Sequence, residues 1–112
     1  MADRQLLGEV EQLVLLTILR LGDGTYAVPI REEINKQVEV DLSRGTIYVT
    51  LDRLERKGYI RSWFADPTPE PGGKARRCFV IEREGTMALR AAQRMVDRLS
   101  AGTVLASRKG KP

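Results

Sequence analysis

The residues of this chain best suited to chemistry are cations spaced to hold phosphate. Arg44 and Arg53 flank a run that opens Ser43-Arg44-Gly45-Thr46, and Lys74, Arg76 and Arg77 close a stretch rich in Pro and Gly. Guanidinium and ammonium groups pair with phosphate oxygens, and small neighbours such as Gly45 and Thr46 let a polyanion come close. Other chemistries lack their parts. With 0 His the chain has no imidazole base or metal ligand, which excludes a Cys-His nucleophile, a Ser-His-Asp triad and a Cys2His2 zinc site. No nucleotide-binding glycine loop or paired-carboxylate motif stands out. The expectation is a protein that is not an enzyme and carries no cofactor and no metal.

The formal net charge is +4, and its distribution says more than its size. Residues 1–42 hold four basic side chains against eight acidic ones, residues 43–83 nine against five, and residues 84–112 six against two. Basic character therefore begins at Ser43, which marks a polyanion-binding face. With 42% apolar and 30% charged residues over 112 positions, the composition is that of one folded domain. The longest apolar runs, such as Leu13 to Leu16, fall far short of the ~18 residues a membrane span needs. The N-terminus lacks the apolar stretch of a signal peptide. A cytoplasmic protein with no membrane partner is expected, and in that setting Cys78 needs no disulfide.

Leu7, Val10, Val14, Ile18 and Leu21 recur at helical spacing and predict a first helix over about 7–21. Leu15, Leu16 and Leu19 make its opposite side apolar too, so it must be covered nearly all round, by its own core and by a second subunit. Gly22-Asp23-Gly24 ends it. A short second helix is expected to start near Pro29 and finish by about Gln37, with Ile30, Ile34 and Val38 as its stripe. Ser43 caps a third helix whose inward face is Ile47, Leu51 and Leu54, with Gly58 just past its end. Tyr59 to Phe64 and Arg77 to Ile81 read as a two-stranded hairpin with a long Pro/Gly tip. A last helix runs from about Glu84 to Ser100, with Ala88, Ala91, Ala92, Met95 and Leu99 on one face, and a basic tail follows Gly102.

Three helices, a hairpin with a basic tip and a long final helix occur in the order of a winged helix-turn-helix, in which the third helix enters the DNA major groove and the hairpin touches the backbone. The fold class expected is mainly α with a small β hairpin. Residues 1–83 are expected to form the DNA-binding domain, 84–102 a C-terminal helix and 103–112 a basic tail. The DNA-binding residues expected are Ser43, Arg44, Gly45, Thr46, Tyr48, Val49, Arg53, Gly73, Lys74 and Arg76, with Arg77 as a further phosphate contact.

The runs Leu42 to Ile60, Gly72 to Lys74 and Arg77 to Gly85 resemble the PadR family of transcriptional regulators. Two departures stand out: Tyr48-Val49 replaces a Tyr-Pro pair, and Glu82-Arg83-Glu84-Gly85 replaces a Thr-Pro-Glu-Gly turn, so the last helix lacks its cap residue. The resemblance implies a homodimer, joined through its first and last helices, that binds double-stranded DNA at an inverted-repeat operator and represses transcription. Dimer contacts are expected from Leu15, Leu16, Leu19, Ala88, Ala92, Met95 and Leu99. Several relatives respond to small molecules, which leaves an effector as an open option.

Simpler readings compete. Arg44 and Arg53 could be solvated surface charge. Trp63 could line a ligand cavity, though a place in the hairpin core is preferred, and Cys78 reads as a small core residue rather than a redox sensor. Arg90, Arg94 and Arg98 share one line, either solvated or paired with acids such as Glu9 or Glu11 of a partner. The alternative function is a winged helix that binds protein without specific DNA binding.

Overall fold

The computed structural model describes residues 6–65 and 75–106. In chain order they form α1 (Glu9–Leu21), β1 (Thr25–Tyr26), α2 (Ala27–Val38), α3 (Arg44–Arg56), β2 (Ile60–Phe64), β3 (Arg77–Ile81) and α4 (Arg83–Ser100). The fold is helical with a small antiparallel sheet.

One core joins these elements. Val14, Leu15 and Ile18 of α1 meet Ile30 and Ile34 of α2, Ile47, Leu51 and Leu54 of α3, Ile60, Phe79 and Leu89. The third helix takes the predicted form at both ends. Ser43 Oγ accepts the Thr46 N–H at 3.1 Å, filling one of the unpaired donors of the first turn. At the other end Gly58 takes φ 81°, and Tyr59 N–H donates to Leu54 O at 3.0 Å, the six-to-one bond that closes a Schellman turn.

Several boundaries differ from the sequence expectation. The sheet has three strands in the order β1-β3-β2, not two. Strand β1 is only Thr25 and Tyr26, paired to Phe79 and Cys78, which is too short to leave a periodic signal. Helix α2 begins at Ala27, so Pro29 occupies its third position; the missing N–H is harmless there because the first turn has no internal acceptors. Leu21, expected on the buried stripe of α1, is 38% exposed. Trp63 is also 38% exposed, outside the hairpin core, with the Arg61 guanidinium 5.7 Å from its ring centroid. Cys78 is buried, as expected of a small core residue.

The α2–α3 connector is fixed by side chains. Asn35 Oδ1 accepts the Leu42 N–H at 2.9 Å, and Arg31 Nε donates to Leu42 O at 2.7 Å. These bonds set where Ser43, and therefore α3, begins. Helix α4 is seated on the sheet side by a close backbone approach: a Cβ at Gly85 would collide with the Tyr59 carbonyl oxygen. As the missing cap residue suggests, Glu82 makes no side-chain bond to the first turn of α4.

Candidate nucleic-acid interface

The inward stripe Ile47, Leu51 and Leu54 is fully buried, and this fixes the rotation of α3. Arg44, Gly45, Thr46, Tyr48, Val49 and Arg53 are consequently exposed. Thr50, which falls between them, turns inward and donates its hydroxyl to Thr46 O at 2.7 Å. Among the described residues neither Arg44 nor Arg53 forms an ion pair with a carboxylate, although Arg53 adds to the field that stabilises the Glu11 charge.

At the base of the hairpin, Arg76 stacks on Tyr26, its guanidinium carbon 4.1 Å from the ring centroid. Tyr26, Ala27, Tyr48, Ala75, Arg76 and Arg77 line a recess of about 240 Å³, and a smaller one of about 80 Å³ lies on the other side of Tyr48, beside Arg44 and Arg31. Tyr48 thus borders both Arg31, Glu32 and Arg44 on the helices and Tyr26 and Arg76 at the hairpin. Sequence reasoning missed Tyr26. The pairing of β1 with β3 is what brings it beside Arg76, across some fifty intervening residues.

Arg77, expected to touch phosphate, is engaged elsewhere. Its Nη1 donates to Asp52 Oδ1 at 2.9 Å and its Nη2 to Glu55 Oε1 at 2.6 Å, which ties β3 to α3. Partial burial works against the Glu55 charge, but bonds from Ser62 and Arg77 outweigh it and hold this carboxyl below its ordinary pKa. Gly73 and Lys74, along with Gly72, lie outside the described residues, as do Arg108, Lys109 and Lys111 of the tail.

The residues expected at a dimer contact divide into two sets. Leu16 and Leu19 are exposed and, with Ile34 and Val38, line a mainly apolar groove of about 470 Å³ between α1 and α2. Leu99 is 83% exposed, Val96 is exposed, and Ala88 and Met95 are partly covered. Leu15 is a correction: it is fully buried in the chain's own core and offers no surface to a second subunit, while Ala92 is nearly covered and lines a recess with Ala88 and Met95. Helical spacing could not tell which side of an all-apolar α1 would face inward. Glu11 is likewise unavailable to a partner's Arg90, Arg94 or Arg98, because it is buried and bonded to Lys57.

The model for the Transcriptional regulator PadR-like family matches residues 15–91, more than half of the chain, from the middle of α1 through the hairpin into α4. The chain belongs to the PadR-like family of transcriptional regulators. No curated protein matches it. Solved structures do. A PadR family transcription regulator from Clostridium difficile is 26% identical, with a TM-score of 0.67 over 83% of this chain and 95% of that one. A transcriptional regulator from Clostridium thermocellum is 24% identical, with a TM-score of 0.69 over 81% of this chain and 85% of that one. The winged-helix DNA-binding protein F93 from STIV shares the fold at 15% identity and a TM-score of 0.66, over 88% of this chain and 99% of that one.

The PadR-like fold seen here is a winged helix, in which the β2–β3 hairpin follows α3. Among the described residues no helix is long and apolar enough to cross a membrane, and no group of His, Cys, Asp or Glu side chains could hold a metal ion.

Proposed function

We propose that this PadR-like protein is a cytoplasmic, sequence-specific DNA-binding regulator, a repressor that acts as a homodimer on an inverted-repeat operator. The observation that carries the reading is the outer face of α3. Arg44, Gly45, Thr46, Val49 and Arg53 are exposed together, and among the described residues neither arginine is held in an ion pair. A major groove about 12 Å wide admits one helix, and arginines on that helix read guanine edges or pair with flanking phosphates. Gly45 and Thr46 let the backbone approach, Tyr48 and Val49 supply apolar contact, and Arg76 on Tyr26 lies where a wing meets the sugar-phosphate backbone.

Exposed Leu16 and Leu19 on one protomer and Met95, Val96 and Leu99 on the other supply the apolar surface of the dimer. A helix surface this apolar is covered in solution when a partner is present. Any small-molecule effector must be recognised without imidazole, since the chain has 0 His. The competing role as a protein-binding module calls for a mainly apolar or acidic outer face on α3, whereas here Tyr48 and Val49 sit among the exposed Arg44, Arg53 and Arg56.

The test is titration of DNA upstream of the protein's own gene at several salt concentrations. Counterion release makes log K fall against log salt with a slope of about −0.9 per phosphate neutralised, and Arg44→Ala should weaken binding. Binding insensitive both to salt and to Arg44→Ala would sink the reading.

A further inference from the structure

We infer that Arg77 is a positioning residue: it locks the wing hairpin to the flank of the recognition helix and sets their spacing, without touching DNA itself. The inference rests on the DNA-binding reading above. Four groups surround its guanidinium. Nη1 meets Asp52 Oδ1 at 2.9 Å, Nη2 meets Glu55 Oε1 at 2.6 Å, Nε donates to Ser62 Oγ at 3.2 Å, and the guanidinium carbon lies 5.0 Å from the Phe79 ring centroid. Glu55 extends the cluster by accepting the Ser62 N–H at 3.2 Å and the Ser62 hydroxyl at 2.8 Å. One side chain of β3 thereby joins α3 and β2.

The planar fork of an arginine can span two carboxylates and a hydroxyl at once, and a lysine ammonium cannot reproduce that geometry. A fork committed in this way has little capacity left for phosphate. Its neighbour Arg76 points to the other side, onto Tyr26, because consecutive residues of an extended chain alternate faces. The two adjacent arginines therefore have different jobs.

The cluster also has an electrostatic consequence. Asp52 and Glu55 are the two carboxylates of α3, and acids on a helix seated in a groove repel the phosphates beside it. Arg77 neutralises both from the wing side. The wing is thus attached where the recognition helix would otherwise be acidic, and the angle between the two DNA-reading elements depends on this contact.

The test uses an operator fragment enriched from a random DNA pool by the wild-type protein. Arg77→Ala should weaken operator binding about tenfold and, by displacing the wing that carries Arg76, lower the slope of log K against log salt together with wing-side protection. Arg76→Ala should reduce that slope by about 0.9 while the rest of the wing-side protection is kept. In hydroxyl-radical footprints, Arg77→Ala should lose protection at the outer, wing-side positions and keep it under α3. Asp52→Asn combined with Glu55→Gln should give the same footprint, and adding Arg77→Ala to that pair should change little more. Circular dichroism at the assay temperature shows that each variant is folded. If Arg77→Ala does not fold, Arg77→Lys, which keeps the charge and loses the fork, should show the same loss of wing-side protection. A reduced salt slope with an intact footprint would make Arg77 a phosphate ligand and overturn the inference, as would unchanged affinity and protection. A wild-type protein that enriches no sequence refutes the DNA-binding reading and this inference with it, a result distinct from a clear wild-type footprint that the Arg77 variants leave intact.

Discussion

The Lys57 ammonium lies 2.8 Å from the Glu11 carboxylate, joining α1 to the C-terminal end of α3. The Glu11 side chain is 5% exposed and that of Lys57 20%, so the pair is largely withdrawn from water. Glu11 also accepts the Gly8 N–H at 2.7 Å, which satisfies its second oxygen and closes the start of α1.

Burial disfavours the Glu11 charge, yet Lys57 and the Gly8 N–H more than offset this and hold its pKa below the ordinary 4.5. A carboxylate with a depressed folded pKa contributes stability that is present above its unfolded value and lost as pH falls through the folded one. Thermal melting from neutral pH down through the range below 4.5 should therefore show a steeper loss for wild type than for Glu11→Gln. Lys57→Met leaves the carboxylate buried without its cation and should cost roughly 3 kcal/mol near neutrality, read by urea denaturation.

Ser43 holds the first turn of α3 through its bond to the Thr46 N–H. Ser43→Ala should destabilise the protein by about 1 kcal/mol. Ser43→Asp is the more informative variant. An aspartate caps a helix as well as serine does and favours the positive end of its dipole, so stability should hold. It also places a negative charge next to Arg44, and DNA affinity should drop. Parallel melting and gel-shift measurements on the two variants separate helix capping from DNA contact.

Gly85 is the position where the first turn of α4 lies against the Tyr59 carbonyl. Gly85→Ala must push α4 away from the end of β2, at a cost of about 1–3 kcal/mol for a forced overlap with backbone. Chemical denaturation should show this loss, whereas Gly45→Ala, whose new methyl would meet Ser43 Oγ at an ordinary 3.9 Å, should leave stability close to wild type.

Leu19 and Leu99 are exposed at 47% and 83%, one on each helix proposed to join the dimer. Leu19→Glu and Leu99→Glu should shift the mass measured by size exclusion with light scattering from dimer toward monomer at micromolar concentration, with helical circular dichroism retained. Leu15→Glu, by contrast, should unfold the chain, since Leu15 is 0% exposed within its own core. A wild-type protein that is monomeric at that concentration removes the dimer from the proposal.

Much of the architecture was legible in the residues. Hydrophobic spacing located the four helices, because burying one face of a helix requires an apolar residue every three or four positions. The cap at Ser43 and the turn at Gly58 fixed the ends of α3, so its outward residues could be named from Arg44 to Arg53. The absence of His and the onset of basic charge at Ser43 narrowed the chemistry to polyanion binding. Tertiary structure alone decided which of several equivalent-looking groups do which job. The arginine run 76–77 divides between a tyrosine of β1 and two carboxylates of α3, and the leucines of α1 divide between the core and an open groove. Local sequence specifies the period of an element and its ends, but the partner of each side chain lies far along the chain, and only packing brings the two together.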